Sequence, residues 1–208
     1  MEGLKIAARY SFRPHCLGFC GPQGENSSRI LFNYLSGEKG LEEQVRKVLK
    51  NFKASYAYYH LIARTNRIAD PFDERVVRAY WIGSELLENV SLKDLKEMIA
   101  QKFKMPGKAK TLYGSVRPHH SFHVEKVGSV TGRIKFDNRL RRLCRISWGR
   151  VKQIRKNKLL IGKKEIDWEP KFLPKVKKGD VVSIHWNQAC EVLDSKAIAN
   201  LKKYTTGK

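Results

Sequence analysis

The hydrophobic pattern of this chain changes its period near residue 140, and that change limits the folds available to it. Before this point, apolar residues recur every three or four positions, as they do on one face of an amphipathic helix. After it come short β-branched runs separated by tight turns, at residues 144–154, 158–162, 164–170 and 180–186. Several short strands so close together predict a small closed barrel of the OB or SH3 type.

We therefore predict an α+β protein. A helical N-terminal domain over residues 1–140 is followed by a small β-barrel with a C-terminal helix over residues 141–208. A hydrophobic content of 41% is sufficient for a packed core. The helical domain carries many aromatic residues that need to be covered, which predicts that the two domains pack against each other.

Apolar spacing and capping residues place the helices of the N-terminal domain. Helices are predicted over residues 41–52, 54–66, 70–87 and 91–103. Asp70 is the expected cap of the third helix, with Pro71 in its first turn. Ser91 and Asp94 have the spacing of a capping box at the start of the fourth. Residues 105–117 are expected to form a basic linker, because they show no helical period.

The last strand of the predicted barrel, residues 181–186, has the alternating pattern of a half-buried strand. Ile184 lies on one face and His185 on the other. The residues that follow are expected to lead into the C-terminal helix, with Asp194 or Ser195 as its cap. A histidine at the end of a strand is by itself more often structural than functional, so His185 needs support from the rest of the chain.

The chain is strongly basic, with 42 Lys and Arg residues against 20 Asp and Glu residues and a formal net charge of +22. Such a charge attracts nucleic acid, anionic membranes or an acidic protein partner. Trp148, Trp168 and Trp186 could stack bases on the barrel, which makes a basic nucleic-acid-binding protein one hypothesis. A lysine-rich surface that only keeps the protein in solution is the alternative.

We expect a soluble, cytoplasmic protein without a membrane span, because no apolar run approaches ~18 residues and the N-terminal residues lack a leader pattern. Four cysteines in a reducing cytosol are expected to be free, metal-binding or reactive. The sequence has no nucleophile elbow, phosphate-binding loop, dinucleotide fingerprint or zinc-protease motif. An ordinary hydrolase or nucleotide enzyme is therefore poorly supported, although an enzyme built around the histidines stays open.

A group of three histidines is the strongest local candidate for a metal site. His119, His120 and His123 lie within five residues of one another. One helical turn would place His120 and His123 on the same face, whereas a strand would align His119 with His123. Imidazole is the commonest ligand for late first-row metals. The alternative is that these histidines are partly exposed and partly packed in the core.

Two cysteines near the N-terminus are a weaker candidate. Cys16 and Cys20 have C-x3-C spacing, which differs from the C-x2-C spacing of zinc knuckles. The alternative is a tight turn at Gly21–Pro22 that leaves two small buried cysteines, although such a turn can also expose the Cys20 thiol.

The barrel region carries two blocks of residues with a recognisable pattern. They are Cys144, Gly149 and Val151 in the first block, and Gly179, Asp180, Val182, His185, Ala189, Leu193 and Asp194 in the second. With this pattern the region resembles the small hydrogenase-assembly chaperones of the HypC type. The resemblance implies a small barrel, with Cys144 and His185 in the places that hold an iron group with cyanide and carbonyl ligands. The implied cofactor is iron or another transition metal.

The whole chain also resembles an uncharacterised family that is sometimes encoded beside nickel–iron hydrogenase genes. The segments that carry this likeness are residues 9–22, 68–83, 118–124, 145–151 and 179–194. Together the two resemblances imply an accessory or assembly protein for a metalloenzyme, above all nickel–iron hydrogenase. Its expected partners are hydrogenase subunits or maturation proteins, and it would act by protein binding and metal-centre handling.

The barrel prediction also makes a geometric claim. Cys144 is expected to open the first strand and His185 to close the last long one. Neighbouring strands in a small barrel would bring both side chains to the same rim, pointing into one pocket. Cys190, just beyond His185 in sequence, is a candidate third member of this group.

Overall fold

The computed structural model describes residues 2–132 and 134–205. Its helices are α1 (Glu2–Cys16), α2 (Glu25–Leu35), α3 (Glu42–Lys50), α4 (Lys53–Thr65), α5 (Glu74–Trp81), α6 (Leu92–Lys102), α7 (Pro106–Lys110), α8 (His120–Phe122), α9 (Asn138–Cys144) and α10 (Ser195–Thr205). A 3-10 turn spans Glu85–Leu87, and α8 continues into a π-helical turn at His123–Val127. The described part of the chain contains no helix with the length and apolar character that crossing a membrane requires.

The C-terminal region forms a closed five-stranded barrel, so the predicted α+β fold is confirmed. Its strands are β1 (Ser147–Arg155), β2 (Lys158–Ile161), β3 (Lys164–Asp167), β4 (Val181–His185) and β5 (Gln188–Leu193). They are hydrogen-bonded in the order β1-β2-β3-β5-β4, and β1 and β4 pair antiparallel to close the barrel. The interior is filled by apolar side chains from Val151, Leu159, Ile166, Leu173, Val176, Val182, Ile184 and Ala189.

Helix α1 lies at the centre of the helical part. Leu4, Ala7, Ala8 and Tyr10 are completely buried along it. Its close approach to the start of α5 depends on Gly3, since a Cβ atom there would lie 2.2 Å from the carbonyl oxygen of Phe72. The small residues of α1 therefore let the surrounding helices pack directly on its backbone.

The main hydrophobic core extends from the helical part to one side of the barrel and to α10, whereas the barrel interior forms a second apolar cluster. Cys190 and Leu193 of β5 and Leu201 of α10 belong to the same buried apolar cluster as the residues of α1, α4 and α5. Of the aromatic residues predicted to need covering, Tyr58, Tyr59, Tyr80 and Trp81 are buried in that cluster, and Tyr56 is partly buried against it. Residues before and after position 140 therefore pack against each other, although the period of the hydrophobic pattern changes there.

Covering of the barrel by α1 also corrects the prediction of a half-buried last strand. Both faces of β4 are buried. Val182 and Ile184 face the barrel interior, whereas Ser183 and His185 are hydrogen-bonded to Tyr10 of α1. The alternating pattern predicts that one face of β4 is exposed to water. The polar side chains on that face instead form hydrogen bonds with α1.

The prediction that residues after Trp186 lead directly into the C-terminal helix is wrong, because they form β5. Trp186 and Asn187 both have left-handed backbone conformations, with φ of 51° and 59°. Two such residues between the paired His185 and Gln188 make a tight hairpin turn that sends the chain back along β4. The helix α10 begins only after Asp194, whose carboxylate accepts from the Ala197 backbone N–H at 2.7 Å.

Two predicted boundaries in the helical part also change. Asp73, not Asp70, caps α5, because Asp70 instead accepts from the Phe72 backbone N–H and pairs with Arg46. Within the predicted linker, the residues Pro106–Lys110 form the short helix α7 with proline in its first turn. Ser91 caps α6 together with Asp94, as predicted.

Candidate metal centre

Three side chains from three separate elements meet between the helical part and the barrel. They are His120 of α8, Cys144 at the end of α9 and His185 at the end of β4. One ligand atom from each lies within 4.8 Å of the other two. Cys144 Sγ and His120 Nε2 are 3.5 Å apart. Cys144 and His185 thus lie together, as strand pairing predicted; their role as ligands stays a prediction.

The positions of Cys144 and His185 are fixed by the junction of α9 with the barrel. Cys144 is the last residue of α9 rather than the first residue of β1, which corrects the expectation that it opens the strand. The backbone N–H of Trp186 donates to the Leu143 carbonyl at 2.9 Å, and Ser147 pairs with Ile184. The end of the helix is therefore tied to the end of β4, and the two side chains project from neighbouring points.

His185 has one free ring nitrogen. Its Nδ1 lies 2.7 Å from the Tyr10 carbonyl oxygen, which can only accept, so Nδ1 carries the hydrogen. In the neutral ring Nε2 then has the lone pair; the Cys144 carbonyl is close to His185, but Nε2 is buried without a hydrogen-bond partner among the described residues. An unpaired buried acceptor costs about 1–3 kcal/mol. A backbone carbonyl that fixes the tautomer in this way is typical of metal-binding histidines.

His120 is held by hydrogen bonds at both ring nitrogens. Its Nε2 donates to the Cys144 carbonyl at 2.9 Å, while Nδ1 lies 3.0 Å from the Tyr80 hydroxyl. Because a tyrosine hydroxyl both donates and accepts, the opposite tautomer of His120 would keep the Tyr80 bond. That tautomer gives up the bond to the Cys144 carbonyl, and a small rotation of the ring away from this oxygen would direct the Nε2 lone pair toward the Cys144 thiol, 3.5 Å away.

The three groups are neutral at pH 7. Burial lowers the pKa of His185 to about 4. Burial also lowers the pKa of His120, and the nearby His185 and His123 add to the effect. Burial raises the pKa of the Cys144 thiol to about 12, although the Trp186 indole acts in the opposite direction. A thiol this weakly acidic does not form the thiolate–imidazolium pair of cysteine hydrolases, whereas a bound metal ion deprotonates a thiol directly.

The three side chains face a cavity of about 570 Å³. Its wall includes Pro14, Phe19, Phe52, Val130 and Trp186, while Lys53 lies at its edge. No aspartate or glutamate is among the described residues that line it. The space is therefore mainly apolar, reaches the three candidate ligands and contains no acidic side chain of its own.

The histidine group predicted from sequence is divided by the structure. His119 caps α8: its Nδ1 accepts from the Ser121 backbone N–H, and its Nε2 lies 3.1 Å from the Trp81 carbonyl. Both nitrogens of His119 are therefore engaged in structural bonds. His123 lines the cavity, and its Nδ1 lies 3.3 Å from the Tyr58 hydroxyl. Only His120 of the three belongs to the group with Cys144 and His185.

The remaining cysteines lie outside this group. Cys16 is exposed at the end of α1, whereas Cys20 lines the cavity from the loop that follows. Cys190 is buried against α1, and its thiol donates to the Gln188 carbonyl at 3.4 Å. The third member of the group is therefore His120 rather than Cys190. The sequence singled out His120 within its cluster, but no local signal connected it with Cys144.

Comparison with known proteins gives a family but no activity. No curated protein and no solved structure matches the chain. One family model matches residues 1–173 and residues 169–208, and therefore covers both the helical part and the barrel. The chain belongs to this family, the family of unknown function DUF6390.

Proposed function

We propose that this protein is an accessory protein for the assembly of a metalloenzyme and that it holds a first-row transition-metal ion between His120, Cys144 and His185. The observation that carries the proposal is the convergence of one thiol and two imidazoles on a single point. The unpartnered Nε2 of His185 supports it, because a metal ion would provide the partner that this atom lacks.

The separation of the donor atoms fits such an ion. With metal–sulfur and metal–nitrogen distances of about 2.3 and 2.0–2.1 Å, two ligands of a tetrahedral ion lie about 3.5 Å apart. The separation of 3.5 Å between Cys144 Sγ and His120 Nε2 agrees with this value. The group as a whole, within 4.8 Å, needs only side-chain adjustments to close around an ion.

The chemistry of the donors narrows the choice of metal. A thiolate with two imidazoles suits iron, cobalt, nickel, copper or zinc, whereas magnesium and calcium prefer oxygen donors. The described residues of the cavity wall offer no carboxylate oxygen. A transition metal is therefore the expected occupant, and iron is the one that the resemblance to the hydrogenase-assembly chaperones implies.

The assembly role rests on that resemblance and on charge. Cys144 and His185, which match the chaperone pattern, lie in the three-residue group. The net charge of +22 favours an acidic partner protein, and nickel–iron hydrogenase subunits or their maturation proteins are the proposed partners.

The nucleic-acid hypothesis requires tryptophans that bases can reach. Trp186 is only 4% exposed and packs on Phe19, with ring centroids 4.4 Å apart. Trp168 packs against the barrel core and donates to the Leu173 carbonyl, and Trp148 is partly buried against the main core. The net charge and the partial exposure of Trp148 and Trp168 still support this alternative, but no specific observation favours it as a second function.

Metal analysis of the full chain, purified without oxygen, tests the proposal. We expect one transition-metal ion per chain after loading with Fe(II) or Co(II), and a thiolate-to-cobalt charge-transfer band in the Co(II) form. C144S should remove the band and H185A should lower occupancy, whereas C16S, at the exposed cysteine, should behave as the wild type. Equal occupancy in all three variants would contradict the proposed site.

The assembly role needs a separate experiment. Tagged protein isolated from its host should recover hydrogenase subunits or maturation proteins, and C144S should recover less of them if the metal contributes to the complex. Recovery of RNA or ribosomes alone would contradict the role in assembly, even if the metal site is real.

A further inference from the structure

The proposed metal centre carries a charge that its own ligands do not balance. A divalent ion bound by one thiolate and two neutral imidazoles has a net charge of +1. The site is buried: His120 is 5% and His185 is 3% exposed. An uncompensated charge in such a place is costly, because burial removes the water that would otherwise stabilise it.

The described surroundings offer no acidic group to compensate for this charge. The wall of the cavity has no carboxylate among its described residues, and Lys53 adds a positive charge at its edge. The buried carboxylate of Glu191 lies on the far side of Tyr10 and is already paired with Arg78 at 3.0 Å. Neutralisation must therefore come from a further ligand.

The cavity provides both the space and a hydrogen-bond donor for that ligand. Three protein ligands leave at least one coordination position open, as in catalytic zinc sites. Trp186 lines the cavity beside Cys144; its buried indole N–H lies near the Cys144 sulfur but does not reach hydrogen-bond geometry with it or with any other group in the part of the chain that the structure describes. A ligand that accepts a hydrogen bond from Trp186 would satisfy this group.

From these observations, and on the basis of the proposed metal site, we infer that the open position binds a small monodentate anion from the cavity and that Trp186 Nε1 donates a hydrogen bond to it. The rest of the wall is mainly apolar and includes Phe19 and Phe52, so it favours an anion with few polar atoms beyond those that the metal and Trp186 bind. Azide, thiocyanate and formate are representative probes of this class.

The Cys20 thiolate is the internal alternative, since it would also neutralise the site. The structure holds the backbone of Cys20 in place: His15 Nδ1 donates to its carbonyl at 3.1 Å. At the next residue, Gly21, a Cβ atom would lie 2.5 Å from the Phe52 ring. With this part of the backbone held, Cys20 lines the cavity but its sulfur is not one of the three grouped ligand atoms, which favours an external anion.

Titration of the Co(II)-loaded full chain with azide tests the inference. We expect a saturable change in the visible d–d bands with one azide per cobalt, while the thiolate-to-cobalt band remains. Loss of a hydrogen bond to a charged group predicts that W186F binds azide roughly ten-fold more weakly. Azide affinity is compared at equal cobalt loading, measured by metal analysis, and C20A should retain the azide response of the wild type.

The outcomes separate this inference from the proposed function. If cobalt binds with its thiolate band but azide changes nothing, the inference fails and the metal site stands. If azide acts only on C20A, Cys20 is the fourth ligand and the inference is again overturned. If cobalt does not bind at all, both the proposed function and this inference fail. An azide response in the wild type that W186F leaves unchanged would remove Trp186 from the site.

Discussion

The two faces of strand β4 are both buried but differ in polarity: one packs in the apolar barrel interior and the other forms hydrogen bonds with α1. Toward the barrel axis, Val182 and Ile184 belong to a cluster of buried apolar side chains. Toward α1, Ser183 and His185 are equally buried but are bonded to Tyr10. One strand therefore supports a packed apolar core on one side and a buried polar interface on the other.

The difference shows where chemistry is concentrated in this fold. Burial of apolar side chains in the barrel stabilises it without directional requirements. Buried polar groups at the interface are instead stable only when each finds a partner, which fixes their geometry. Tyr10, Ser183 and Glu191 have such partners, while His185 Nε2 and Trp186 Nε1 have none among the described residues. Arg9 Nε, Ser36 Oγ and Ser121 Oγ are also buried without a partner in the described part of the chain, but His185 and Trp186 are the two of this set that line the cavity of the candidate metal centre.

The largest loss of stability is expected from a substitution in the apolar interior of the barrel. Leu159 is completely buried in the barrel, and L159A should lower the free energy of unfolding by about 2–5 kcal/mol. Because β5 and α10 share the main core with the helices, circular dichroism and tryptophan fluorescence should report one transition in urea. I154A, at a partly exposed position of β1, is the control and should cost about 0.5 kcal/mol. Two separate transitions would contradict the shared core.

Metal binding should stabilise the polar interface by a comparable amount. Free metal at 100 times its dissociation constant adds about 2.7 kcal/mol to the free energy of unfolding, provided that the unfolded chain does not bind it. Thermal unfolding with and without Co(II) measures this gain, which C144S should lose and C16S should keep. Equal stabilisation of both variants would show that the ion binds elsewhere.

A smaller loss is expected when the interface loses one of its hydrogen-bonding groups. The Tyr10 hydroxyl lies 2.6 Å from Ser183 Oγ and donates to Glu191. Y10F would leave both partners buried with fewer bonds, so we expect a cost of about 1–3 kcal/mol in urea unfolding. Y113F changes the same hydroxyl at a residue that is 84% exposed and should have no measurable effect. A Y10F protein as stable as the wild type would mean that these bonds merely replace water.

The smallest contribution to stability is expected from a group of ion pairs on the surface, where water screens the charges more than at the buried interface. Arg117, Lys203 and Tyr204 lower the pKa of Glu88 from 4.5 to about 2. Because the pKa is lower in the folded state, this stabilisation is complete above pH 4.5 and is lost as the pH falls toward 2. Glu88 is partly exposed, so we expect less than about 1 kcal/mol. The difference in stability between the wild type and E88Q, measured from pH 6 to pH 2, should shrink over that window; a constant difference would contradict the pairing.

Local signals in the sequence determined most of the secondary structure. Periodicity and capping residues indicated the helices over residues 41–103 and the strands β1 to β4, because these features depend on neighbours a few residues apart. The cap at Ser91 was correct, whereas Asp73 replaced Asp70 as the cap of α5 once Arg46 paired with Asp70. The strand β5 was missed because two consecutive left-handed residues, Trp186 and Asn187, make a turn that composition does not signal.

For the candidate site, the sequence supplied the residue types and the tertiary structure chose among them. His120, Cys144 and His185 were all singled out in advance, but in separate patterns together with His119, His123, Cys16, Cys20 and Cys190. His120 and Cys144 are 24 residues apart and meet only because α9 is tied to the end of β4 and α1 covers the barrel. Which ring nitrogen is free, and which thiol faces it, depends on these long-range contacts. A one-dimensional pattern does not contain them, since they form only when the two parts of the chain share a core.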